Sequence, residues 1–263
     1  MEIKVWSSRS LAKAFYARAI APLLLLLAWE MASRTGLIPQ RALASPSSVL
    51  GALRDSILSG DIGRHLFVSL SRVLAGLAIG VTTGTILGVL AGLSRLGELA
   101  IDAPMQMLRA LPFLALVPLF ILWFGIGEQP KIALIALGTT FPIYLNLFSG
   151  IRGVDVKLVE AARSLGLNQL ELIFHIILPG ALPYFLVGLR YALAVAWLSL
   201  VVAEQINATS GIGYLIMQAR EFFRTDMIVV GLLIYAFLGL ATDLFVRAIE
   251  RHAFAWRPSF VRS

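Results

Sequence analysis

Six long apolar runs leave this chain little choice of fold. They lie at approximately Phe15–Ala32, Val73–Leu93, Pro104–Phe124, Ile132–Ile151, Leu182–Ala203 and Met227–Val246. A bilayer core of about 30 Å is crossed by about 20 residues of helix, so each run is long enough to span. In hydrocarbon every backbone N–H and C=O has to be bonded within the protein. The runs are continuous rather than alternating, which selects helices over barrel strands. The chain is 59% hydrophobic and only 14% charged, more apolar surface than a water-soluble fold of 263 residues could hide. The expectation is an all-α integral membrane protein of six transmembrane helices, one domain over residues 1–263, with both termini on the same side.

The distribution of Lys and Arg indicates which side. The tail residues Lys4, Arg9, Lys13 and Arg18 share a side with Arg95, with Arg152, Lys157 and Arg163 and with Arg247, Arg251, Arg257 and Arg262, twelve against the seven of the other side. That excess makes it the cytoplasmic face by the positive-inside rule, with residues 1–14 a basic tail on the inner membrane surface. The net charge of +7 then matches anionic lipid headgroups rather than nucleic acid. Arg72, Arg109 and Arg190 fall near span boundaries, close enough to snorkel. With no cysteine there is neither a disulfide framework nor a thiolate metal site. His65, His175 and His252 lack metal-ligand spacing, so no metal is expected. Ala42-Leu43-Ala44 resembles a signal-peptidase site but lies far beyond the Leu23–Leu27 run, so an uncleaved first span is expected. None of the four lysines follows glycine, so the chain has no P-loop with which to bind ATP.

Between the first two spans, Val49, Leu50, Leu53, Ile57 and Leu58 predict an amphipathic interfacial helix capped by Ser47 or Ser48. The second span carries glycine at every fourth position: Gly76, Gly80, Gly84, Gly88 and Gly92. This stripe predicts close backbone packing, against a helix of the same chain or of a second copy. Pro104, Pro112, Pro118, Pro130 and Pro142 punctuate spans three and four. They predict kinks and make both spans candidates for lining a path.

Residues 152–179 form the longest polar interruption on the inner side. Asp155 is placed to cap a short helix through Val156, Val159, Ala162 and Leu165, and Gly166 to end it in the left-handed conformation. Asn168 starts a second short helix, with Pro179 and Pro183 marking entry to span five. Within this loop Glu160-Ala161-Ala162, then Gly166, Ile176 and Leu178-Pro179 fit the pattern E-A-A-x3-G-x9-I-x-L-P. That pattern resembles the cytoplasmic signature of permease subunits of ATP-binding-cassette importers. Over roughly Leu24–Trp256 the chain is similar to the nitrate, sulfonate, taurine and bicarbonate permease family, the aliphatic sulfonate branch above all. Strings that carry the similarity include Leu122-Trp123-Phe124-Gly125-Ile126, Leu178-Pro179-Gly180-Ala181-Leu182-Pro183 and Ser210-Gly211-Ile212-Gly213-Tyr214-Leu215.

The resemblance implies a type I ABC importer permease fold with a cytoplasmic coupling helix between spans four and five. It implies that Glu160, Ala161, Ala162, Gly166, Leu178 and Pro179 couple this chain to a separate ATPase. Two ATPase subunits would carry the ATP and Mg; this chain would hold no cofactor. The other implied partners are a second permease copy and a periplasmic or lipid-anchored substrate-binding protein. The setting is the bacterial inner membrane, and the cargo an aliphatic sulfonate, with taurine, nitrate and bicarbonate as alternatives. Candidate pathway or gate residues are Arg109, Asn146, Ser199, Glu204 and Gln205, with Tyr144 and Asn207 beside them. An ion-gradient-driven carrier would instead favour mid-span acids and an inverted repeat, and neither is evident. No catalytic constellation is recognisable, so enzyme activity is not expected.

Overall fold

A computed structural model describes residues 8–206 and 208–253. Residues 1–7, Asn207 and 254–263 fall outside it, and with them Lys4, Arg257, Arg262, part of the basic tail and the gate reading of Asn207. The described chain is helical throughout, with no strand: α1 (Ser8–Arg34), α2 (Pro46–Leu58), α3 (Asp61–Leu93), α4 (Arg95–Ala110), α5 (Val117–Phe124), α6 (Gln129–Arg152), α7 (Val156–Ser164), α8 (Gln169–Leu172), α9 (Leu178–Gln205), α10 (Ile212–Glu221) and α11 (Thr225–Ala253). Among the described residues four helices are long and apolar enough to cross a membrane: Asp61–Leu93, Gln129–Arg152, Gln169–Gln205 and Thr225–Arg251. These hold predicted spans two, four, five and six. The first predicted span lies within α1, where Ile20 and the Leu23–Leu27 run are exposed, as lipid-facing side chains are.

The third predicted span is not one helix. α4 and the segment Leu114–Phe124 meet at 83°, and the break falls at Leu111, whose ψ is 137°. A proline clashes with an α-helical residue before it, so Pro112 drives Leu111 into extended backbone and ends α4. The kink expected at Pro104 does not interrupt α4, nor does Pro142 interrupt α6.

The chain divides into two compact units. One runs up to Ile62 and adds Leu215–Leu233. In it α2 is capped by Ser45, whose side chain accepts from the Ser48 amide, with Pro46 in the first turn. The cap is therefore two or three residues earlier than expected, because proline needs no donor partner at that position. Glu30 takes up the neighbouring Ser47 amide at 3.0 Å, and Thr225 Oγ1 donates to the Gln40 carbonyl at 2.7 Å.

The other unit comprises Gly63–Tyr214 and the chain from Ile234 onward. Its centre is α6, which is buried along most of its length. The glycine stripe of α3 lies against it, so the partner left open by the sequence is within this chain. A Cβ on Gly76 would stand 2.6 Å from Ile135 Cβ, on Gly84 2.7 Å from the Thr140 carbonyl, and on Gly92 2.8 Å from Ile151 Cγ2. The other flank of α6 meets α9 with equal closeness. A Cβ on Gly188 would lie 2.8 Å from the Pro142 carbonyl, and one on Gly150 2.7 Å from Tyr184 Cβ. Val73, Ile135, Ala196, Trp197, Leu200 and Leu238 close the apolar core where α3, α6, α9 and α11 meet.

Candidate functional site

Two constructions in the second unit combine local sequence signals with functional side chains: the hairpin over residues 152–179, and a buried charge cluster around Glu204.

The hairpin begins with Asp155, whose carboxylate accepts from the Lys157 amide at 2.9 Å and caps α7. α7 ends where Gly166 takes φ +89°. The Leu167 amide then reaches back to the Ala162 carbonyl at 3.2 Å, the long bond of a Schellman-type stop. Asn168 starts α8 with a reciprocal capping box, its side chain on the Glu171 amide at 2.9 Å and the Glu171 carboxylate on its own amide at 2.7 Å. Every signal read from sequence in this turn is present.

The second arm departs from expectation. It does not end before span five but continues through a π-helical turn, Ile173–Ile177, directly into α9. Pro179 supplies the reason. It has no N–H to give the His175 carbonyl four residues earlier, and the π turn, closed by the Leu178 amide on the Ile173 carbonyl, accommodates that loss without breaking the helix. Residues Gln169–Gln205 thus form one run of 37 residues.

Glu160 and Ala161 face solvent, Ala162 is buried, and Gly166 is exposed in open space. Leu178 packs against the Leu147, Ile151 and Ala181 cluster, while Pro179 is exposed. Around them Val156, Leu158, Leu165, Leu170 and Phe174 are all more than half exposed. The hairpin is therefore rigid by capping and apolar on its surface.

The charge cluster lies at the other end of α9. Glu204 is 1% exposed. Its carboxylate receives Arg72 Nη1 at 2.7 Å, Ser69 Oγ at 2.8 Å, the Gly213 amide at 2.8 Å and Tyr235 Oη at 3.2 Å. Arg72, 2% exposed, also donates to the Ser210 carbonyl at 2.7 Å and forks onto Glu128, with Nη2 to Oε1 at 2.7 Å. Lys131 Nζ approaches the same Glu128 at 3.2 Å. The turn before α10 is held amide by amide: Gly211 N–H donates to His65 Nδ1 at 3.0 Å and Ile212 N–H to Ser69 Oγ at 2.9 Å. Charged groups in a membrane helix are tolerated when paired in this way. The Arg72 guanidinium, with Lys131, pulls the Glu128 carboxyl down to about 2 against the opposing effect of burial.

Arg72 therefore does not snorkel; it is an interior cation with two acid partners. Arg190 does not snorkel freely either, since its guanidinium pairs with Glu250 at 2.5 Å and lies 3.6 Å from Asp243. The predicted pathway residues do not converge. Arg109 sits exposed in the last turn of α4, and no carboxylate among the described residues pairs with it. Asn146 donates to the Pro142 carbonyl at 2.8 Å, and the fully buried Ser199 to the Val195 carbonyl at 2.7 Å. Tyr144 is buried and donates to Asp102 at 2.9 Å. Gln205 is exposed beside Glu204. Sequence reasoning missed Ser69, Glu128, Lys131 and Tyr235. The signals were there: Ser69 and Arg72 sit one turn apart ahead of an apolar run, and Glu128 and Lys131 likewise.

Comparison with known proteins gives this architecture a family. The profile of the family described as binding-protein-dependent transport system inner membrane component matches residues 80–254. The aliphatic sulfonates transport permease protein SsuC of Escherichia coli (strain K12) is 50% identical over 239 residues, covering 91% of each chain. SsuC of Bacillus subtilis (strain 168) is 44% identical, covering 92% of this chain and 87% of its own length. The taurine transport system permease protein TauC of Escherichia coli (strain K12) is 35% identical over 88% of this chain and 86% of its own. Among solved structures, an amino acid ABC transporter with histidines superposes with a TM-score of 0.64 at 20% identity, over 78% of this chain and 98% of that one. An inward-facing MetNI methionine ABC transporter gives 0.57 at 20% identity, over 73% and 95%; both likenesses concern the fold. With its helical membrane architecture and its match across the greater part of the sequence, the chain belongs to the family of inner membrane components of binding-protein-dependent transport systems.

Proposed function

We propose that this chain is the permease subunit of an ATP-driven importer that carries aliphatic sulfonates across the bacterial inner membrane. Both SsuC relatives carry that cargo in their names, and TauC names taurine, itself a sulfonate. The shared chemical class is a small organic molecule ending in a sulfonate group. Two copies of the permease enclose the path, two ATPase subunits bind ATP and Mg, and an external binding protein delivers the substrate. Both termini face the cytoplasm.

The observation that carries the reading is the capped hairpin continuous with α9. Its exposed apolar residues suit a groove on the ATPase, and small Ala161 lets a partner backbone come close beside Glu160. A rigid contact of this kind converts closure of the ATPase into helix movement. ATP binding opens the path outward, and hydrolysis resets it inward.

The test is uptake in proteoliposomes holding the permease, its ATPase and its binding protein. Ethanesulfonate should enter only with ATP and all three components. Uptake driven by a proton or sodium gradient without ATP would defeat the proposal. ATP-dependent uptake of nitrate or bicarbonate in preference to sulfonates would leave the transport mechanism standing and overturn the substrate.

A further inference from the structure

Two of the most deeply buried cations in the second unit converge on a carboxylate that is itself not buried. The side chains of Arg72 and Lys131 are 2% and 6% exposed, whereas that of Glu128 is 54% exposed. Arg72 grips Glu128 with Nε and Nη2 together, Lys131 stands 3.2 Å from Oε1, and Ser210 Oγ lies 3.4 Å from Nη2. From the protein side Arg72 is fixed by Glu204 and the Ser210 carbonyl, so the fork is held in place whatever Glu128 does. Glu204 answers one of the two positive charges; Glu128 answers the other from the solvent side.

Glu128 also follows a glycine-bearing turn with open space around it. Gly125 has φ +76°, and nothing approaches within 4 Å of a Cβ placed on Gly125 or Gly127. Beside Lys131 is an apolar crevice lined by Val117, Ile121, Ile126, Leu134, Ala203 and Ile206, with a volume of about 10 Å³. That is room for about one water as the segment stands. A fixed guanidinium fork with an ammonium beside it recognises any oxyanion that presents two oxygens, and a carboxylate is only one of these.

We propose that Arg72 and Lys131 form a binding site for an organic monoanion, and that Glu128 is its built-in occupant, displaced when the anion binds. The identification of that anion as a sulfonate rests on the reading above. With Glu128 turned out into solvent, Arg72, Lys131 and Glu204 leave one uncompensated positive charge. A sulfonate balances it, and a dianion overshoots. The apolar crevice beside Lys131 is the side toward which the ligand's alkyl group would lie. Glu128 thus keeps the site closed to loosely bound anions.

The experiment is calorimetric titration of ethanesulfonate into the full transporter, permease with its ATPase, in zwitterionic nanodiscs. An occupant that competes for the same atoms weakens apparent affinity by the fraction of time it is away. Glu128→Gln should therefore bind ethanesulfonate about fivefold more tightly than the wild type by that relation. Adding Lys131→Gln should abolish the gain, and sulfate should show none. If Glu128→Gln does not fold, Glu128→Asp, which shortens the reach, should show a smaller gain in the same direction. A folded Glu128→Gln that binds ethanesulfonate no better than wild type overturns the site and leaves Glu128 as a loop clamp; the uptake assay would be unaffected. An equal gain for nitrate would retain the anion site and count against the sulfonate as its ligand.

Discussion

Replacing Gly84 with alanine tests how α3 is held. A Cβ there would lie 2.7 Å from the Thr140 carbonyl and 2.8 Å from Ile143 Cβ. The carbonyl is backbone inside a buried helix and cannot rotate aside. Restoring ordinary contact, at 3.4 Å or more, requires α3 and α6 to separate by about 0.7 Å, with strain of the kind that costs about 1–3 kcal/mol. The added methyl also favours the helix, by up to about 1 kcal/mol. Gly239→Ala in α11 supplies that gain alone, because nothing lies within 4 Å of its Cβ. The difference between the two variants therefore isolates the packing cost, about 1–3 kcal/mol. Gly88→Ala, whose Cβ would stand 3.3 Å from Leu147 Cβ and so needs only about 0.1 Å of give to reach ordinary contact, should fall close to the Gly239 variant. Equilibrium unfolding of purified permease in mixed detergent micelles measures all three. Equal stability of the Gly84 and Gly239 variants would refute the claim that the stripe sets the distance between these helices.

The remaining expectations concern the hairpin and the charge cluster. Gly166→Val forces a β-branched residue into φ +89°, at a cost of roughly 1–2 kcal/mol. It should let ATP hydrolysis run without uptake while membrane insertion stays normal, and tight coupling in this variant would remove the turn from the mechanism. Asn168→Ala deletes the capping box and should cost the second arm about 1 kcal/mol, read as faster amide exchange confined to residues 168–172. Glu204→Ala strands the buried Arg72 cation and should destabilise the second unit by about 3–5 kcal/mol; an unfolding midpoint equal to wild type would show that the pair holds nothing. The Glu128 carboxyl is depressed to about 2 by Arg72. Its contribution is thus complete above the ordinary carboxyl range near pH 4.5 and is lost as pH falls from there toward 2. Half exposure limits it to below about 1 kcal/mol. Wild type and Glu128→Gln should converge in stability over that acid range, and a constant gap down to pH 2 would contradict the pairing.

What was legible in the sequence was whatever depends on neighbours along the chain. The hairpin could be read almost residue by residue, since Asp155, Gly166 and Asn168 act on amides within three residues of themselves. Spans two, four, five and six were legible from length and apolarity. Span three was not, because the same prolines that predicted kinks differ in effect with context: Pro104 rides within α4, while Pro112 ends it through Leu111. Continuity across Pro179 was missed because a π turn has no composition of its own. The charge cluster was least visible. Arg72 and Glu204 are 132 positions apart, and only the packing of α3 against α6 and of α6 against α9 brings them together. Arg72 read alone near the edge of an apolar run suggested snorkelling for the same reason: its partners were elsewhere.

The unbroken backbone from Gln169 to Gln205 has a geometric consequence. Thirty-seven residues at 1.5 Å each make a rod of about 55 Å, with the second arm of the hairpin at one tip and Glu204 at the other. Clamped near its middle by α6 where Gly188 nests on Pro142, such a rod would tilt about that point like a seesaw. Were the hairpin to dock as proposed, a sideways push on it would be delivered, reversed in direction, to the carboxylate that grips Arg72.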